Sequence, residues 1–91
     1  MTRRKQAWPN DKVEEIDWWD KEIDGTVLRF VINQVTKQKP GTGQRRIHYA
    51  VTVRRADDQY HNLGNAFDDQ PGREKAEACF PKEELTMNFG T

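Results

Sequence analysis

The chain has 91 residues, 33% of them charged and 34% hydrophobic, with 15 Lys or Arg balanced by 15 Asp or Glu. That size fits one domain around one modest core, with no room for a second. A single cysteine excludes an internal disulfide and a multi-cysteine zinc site and fits a reducing compartment. No stretch approaches the roughly twenty apolar residues of a membrane span, and the basic start has no apolar run behind it, so it is not a signal peptide. The expectation is a soluble, cytoplasmic chain with no membrane association.

Residues 1–9 read as a flexible basic tail ending at Trp8-Pro9, with the single domain over 10–91. Residues 10–23 read as a helix. Asn10 or Asp11 can cap it, Glu14 sits where a capping box wants an acid, and Val13, Ile16, Trp19 and Ile23 follow helical spacing. Asp24-Gly25 ends the segment. It can do so as a left-handed helix cap or, in the competing reading, as a tight hairpin turn that would make 16–23 a strand. Trp18 and Trp19 are adjacent, so one packs on the sheet while the other stands partly exposed.

Residues 26–55 are the strongest signal in the chain. Ile47, Tyr49, Val51 and Val53 alternate with Arg46, His48, Thr52 and Arg54, and Leu28, Phe30 and Ile32 share one face of the preceding arm. Pro40-Gly41 and Gly43 supply turn dihedrals between the arms. The two arms form a long antiparallel hairpin whose core face brings Leu28, Phe30 and Ile32 beside Val53, Val51 and Tyr49. A slip of one residue would bury arginines.

Asp57-Asp58-Gln59 is a turn, and 59–64 can add a third strand. Pro71 suits the first position of a helix on which Ala76, Cys79 and Phe80 share a face and which Pro81 interrupts. Residues 85–89, Leu-Thr-Met-Asn-Phe, alternate as a short edge strand. The expected fold is α+β: an antiparallel sheet of three or four strands built on the long hairpin, with helices on one face. The order helix, three strands, helix is similar to that of the double-stranded RNA-binding domain. The likeness covers the order of elements alone and transfers no residues, and the last helix starts Pro71-Gly72-Arg73-Glu74-Lys75 rather than with a lysine cluster.

Charge sorts along the chain. Residues 25–55 hold seven Lys or Arg and no acid, between segments 11–24 with seven acids and 56–91 with eight. A basic stripe is the footprint of a polyanion site. The alternative is internal neutralisation by the acidic flanks. Candidate phosphate contacts are Arg29, Lys37, Lys39, Arg45, Arg46 and Arg54. Tyr49 is buried in this register, which leaves no exposed aromatic for stacking bases and argues against a single-strand binder.

The other function class is a protein-binding inhibitor or adaptor of the mobile-element type, anchored by Trp18, Trp19 and Asp20 in the acidic segment. His48 and His61 match no metal-ligand spacing, Cys79 reads as packing, and no nucleophile or phosphate-loop motif is present. The sequence therefore points to a non-enzymatic binding module without metal or cofactor, its partner a nucleic acid or a protein.

Overall fold

The computed structural model describes residues 12–38, 41 and 43–90. The tail expected over 1–9 and the candidate Lys39 lie outside the described residues. Four strands come first: β1 (Lys12–Ile23), β2 (Thr26–Gln38), β3 (Arg45–Arg55) and β4 (Asn62–Phe67). Two short helices follow, α1 (Arg73–Ala78) and α2 (Lys82–Phe89). The strands form one antiparallel sheet in the order β1-β2-β3-β4, a meander in which each strand bonds to its neighbour in sequence. This is the α+β architecture expected, with both helices on one face.

Of the helix expected over 10–23, the described part, 12–23, is instead β1, and the hairpin alternative for Asp24-Gly25 holds. Asp24 and Gly25 have φ of 49° and 83°, and Ile23 pairs directly with Thr26. Positive φ at both central residues is the two-residue turn whose twist matches a hairpin, and Gly25 adopts it without steric cost. The apparent helical spacing of Val13, Ile16, Trp19 and Ile23 has a different origin. The β1–β2 register slips between Glu15 and Asp17, so a bulge at Ile16 switches the parity of the strand. Ile16, Trp19 and Ile23 then all reach the core side, while Val13 does not. Among the described residues a strand comes first and the helices last, so the element order differs from that of the double-stranded RNA-binding domain.

The β2–β3 hairpin has the expected parity. Phe30 pairs with Val53, Ile32 with Val51 and Leu28 with Arg55, while Tyr49 lies opposite Gln34. Leu28, Phe30, Ile32, Val51 and Val53 are the largest fully buried side chains. Tyr49 is half-buried and Ile47, on the same face, is 46% exposed, because the hairpin runs on past the helices that cover its base.

The third strand expected over 59–64 falls later, at Asn62–Phe67. Arg54 Nη1 donates to the carbonyls of Arg55, Ala56 and Asp58 at 3.0, 3.3 and 3.2 Å, which organises the turn before β4.

At the C-terminal end, Pro71 precedes the helix rather than opening it. Gly72 is the N-cap and Arg73 the first helical residue. Ala76 and Phe80 are buried and Cys79 packs beside them, as their shared face implies. Pro81 ends this unit and serves as N-cap of α2. The edge strand expected over 85–89 is therefore helix. Leu85 and Phe89, four apart, enter the core, while Met87 is exposed. Arg55 ties α2 to the sheet by donating from Nε and Nη2 to the Phe89 carbonyl at 3.3 and 3.0 Å.

Trp19 joins the two layers. Its ring stacks on Phe30 with centroids 5.4 Å apart and 7° between planes. Its Nε1 donates to Glu77 Oε2 at 2.7 Å, and Arg73 lies 4.9 Å from its ring centroid. On either side, Lys21 bridges to Glu77 at 2.7 Å and Arg73 grips Asp17 through Nε and Nη2 at 2.9 and 2.8 Å. The rim between β1 and α1 is thus a row of charged pairs around one buried indole.

Candidate nucleic-acid interface

The helices leave the other face of the sheet open. Cross-strand pairing sets its rows, because directly opposed residues share a face. From base to tip these rows are Asp20, Arg29, Arg54 and Asn62, then Trp18, Val31, Thr52 and Gly64, then Glu15, Asn33, Ala50 and Ala66. Val13, Val35 and His48 follow, and Lys37 with Arg46 comes last. Acids lie on β1, cations on β2 and β3, and neutral residues on β4.

The structure divides the sequence candidates into two groups. At the base, the cations are engaged within the fold. Arg29 holds Asp20 through Nε and Nη2 at 2.8 and 3.0 Å, and its guanidinium lies 4.5 Å from the Trp18 ring centroid. The hydrogen bonds donated by Arg29 hold the Asp20 carboxyl below the usual carboxylate range, against the opposing effect of desolvation. Arg54 is committed to the three carbonyls of the following turn. The acidic flank therefore neutralises Arg29, while Arg54 is held by carbonyls.

The tip is arranged differently. Lys37 and Arg46 are directly opposed across β2 and β3, and like charges in that position destabilise a sheet. Arg45 and Arg46 are exposed and form no ion pair with a described residue. β4 stops at Phe67, opposite Tyr49, so β3 runs on for four residues beyond it. A concavity of about 930 Å³ opens in that space, lined by Lys37, Gln44, Arg45, Arg46, His48, Ala66 and Asp68. His48 fits no metal-ligand spacing, and its alternation with Arg46 along β3 is the signal in the sequence for its place in this lining. Ala66 and Asp68 carried no signal, because their position depends on where β4 ends.

The adjacent tryptophans separate as neighbours on a strand must. Trp19 is 9% exposed and belongs to the core, whereas Trp18 is 48% exposed on the open face. A surface using both indoles does not exist, and Asp20 is held by Arg29. Trp18 shares its face with the basic residues, so an exposed aromatic does stand beside them.

No group of three or more His, Cys, Asp or Glu among the described residues could hold a metal. His61 instead packs on Phe89, with ring centroids 5.1 Å apart. The Cys79 thiol is raised above its ordinary pKa by desolvation, and its Sγ donates to the Ala76 carbonyl at 3.0 Å. Among the described residues no helix is long and apolar enough to cross a membrane. Comparison with known proteins returns no matching family, no matching curated protein and no matching solved structure.

Proposed function

We propose that this protein is a non-enzymatic module that binds nucleic-acid phosphates through the distal end of the β2–β3 hairpin. The observation that carries this reading is the facing pair of Lys37 and Arg46 beside Arg45, around a concavity with one carboxylate, Asp68, in its lining. Two exposed arginines that form no ion pair with a described residue, Arg45 and Arg46, gain free energy when a polyanion supplies the missing charge. The contrast with the base supports it, because Arg29 finds a carboxylate there and Arg54 three carbonyls.

The test is fluorescence anisotropy with labelled nucleic acids at two salt concentrations. Each phosphate contact lowers log affinity by about 0.7–0.9 per unit log salt. Replacing Lys37, Arg45 and Arg46 together by alanine should flatten that dependence and remove binding at physiological salt, while the circular dichroism spectrum stays unchanged. Absence of binding at low salt, or binding indifferent to the triple change, refutes the proposal.

A further inference from the structure

We infer that the preferred ligand is single-stranded, and that Trp18 with Arg29 forms the platform on which its bases stack. This rests on the phosphate-binding reading of the hairpin tip and specifies what lies beyond it. Four observations converge. The concavity opens on the same face as Trp18, since Lys37, Arg46, His48 and Ala66 all belong to the open-face rows. Between the concavity and Trp18 the surface of β3 and β4 is built of small side chains, Ala50, Thr52, Gly64 and Ala66, so nothing bulky interrupts a ligand running along them.

The third observation is Trp18 itself, an indole 48% exposed that the core does not use. The fourth is how it is held. The Asp20 carboxylate fixes the Arg29 guanidinium through two hydrogen bonds, and the guanidinium lies against the Trp18 ring. Both indole and guanidinium planes stack with unpaired bases. Here they are oriented before the ligand arrives, so little side-chain freedom is lost on binding.

From Arg46 to Arg54 along β3 is eight residues, or about 27 Å at the rise of a strand, a length that accommodates a few extended nucleotides. Tip cations meet phosphates at one end, and the platform meets bases farther down the face. A duplex keeps its bases stacked on one another and cannot use such a platform.

The experiment compares a fluorescein-labelled oligothymidylate of about twelve nucleotides, inside the usual range of single-strand site sizes, with a duplex and with an abasic oligonucleotide of the same phosphate number. The expected result is tighter binding of the oligothymidylate than of either. Trp18→Ala should weaken oligothymidylate binding by about 5- to 150-fold, the range found for one lost stacking contact, and leave duplex and abasic binding unchanged. Trp18→Phe should retain most of the affinity. Equal affinity for all three ligands, or an indifferent Trp18→Ala, overturns the platform while the phosphate reading survives. Failure of every ligand at low salt overturns both. A dimer in sedimentation that Trp18→Ala dissociates would assign this face to a second copy and likewise overturn the inference.

Discussion

Replacing Phe30 with alanine tests the assignment of faces most directly. Phe30 has 0% exposure. Its ring is parallel to Trp19 at 5.4 Å and tilted 57° against Phe80 at 6.3 Å, so it links the sheet to both β1 and the helical layer. Truncation of a core phenylalanine costs about 3–5 kcal/mol, with aromatic pairs contributing about 0.5–1.5 kcal/mol each beyond buried area. A chain of this length is stable by about 5–14 kcal/mol in total, so the loss takes a large share of it. With a urea slope of about 1.5 kcal/mol/M for a small domain, the midpoint should fall by about 2–3 M. Ile47→Ala is the matched control. Ile47 occupies the same alternation in β3 but is 46% exposed, and its truncation should cost less than about 1 kcal/mol. Melts followed by far-ultraviolet circular dichroism measure both. If Ile47→Ala costs as much as Phe30→Ala, the helical layer reaches the hairpin tip and the placement of the binding face is wrong.

Three further outcomes follow from local chemistry. Asp17, Asp20 and Glu77 all have carboxyls below their ordinary range. Hydrogen bonds from Arg73 and Arg29 lower the first two; at Glu77 desolvation is the largest single effect and opposes the shift, but bonds from Lys21 and Trp19 outweigh it. Groups depressed on folding contribute stability that is fully present above the unfolded carboxylate value of about 4 and is lost as pH falls through the lower folded values; urea midpoints flat between pH 4 and 2.5 would contradict this. Cys79 should react slowly with a thiol reagent in the native protein and quickly in urea, because burial raises its pKa and its Sγ is hydrogen-bonded to Ala76; equal rates would remove the packing role. Gly25→Ala, at φ 83°, should destabilise by about 1 kcal/mol or more, and a neutral thermal melt would show that the turn is not left-handed in solution.

The hairpin was legible because β2 and β3 place apolar residues at every second position over their buried stretch. β1 was not, and the reason is chemical. On its covered face the residues flanking Trp19 are Asp17 and Lys21, whose charges are matched by Arg73 and Glu77 on α1. A strand whose buried side carries salt bridges shows no alternation of hydrophobicity, and the bulge at Ile16 then imitates a helical period. For α2 the sequence offered two periods at once. Leu85, Met87 and Phe89 alternate, while Leu85 and Phe89 alone fit a helix, and only the neighbouring core decides between them. Within the site, the basic residues could be named from sequence. That Arg29 finds a carboxylate at the base while Arg45 and Arg46 form no ion pair with a described residue at the tip depends on which carboxylates the β1 register delivers, and no local pattern encodes that.

The meander also sets an order of events during synthesis. Each of β2, β3 and β4 bonds to the strand made just before it, so the pairing of these four strands is complete once residue 67 is available. The apolar face of the sheet is not. Apart from the stacking of Trp19 on Phe30, the face of Phe30, Ile32, Val51 and Val53 stays uncovered until Ala76, Phe80, Leu85 and Phe89 have been made, an interval of about 1–4 s at ordinary elongation rates. The nascent chain thus passes through a stage in which a formed sheet presents an uncovered hydrophobic surface. Ribosome-bound chains arrested with residue 70 just emerged should be captured by a chaperone that recognises apolar surface, and chains arrested with residue 90 emerged should be released. Equal capture at both points would mean that the sheet does not form ahead of its helices.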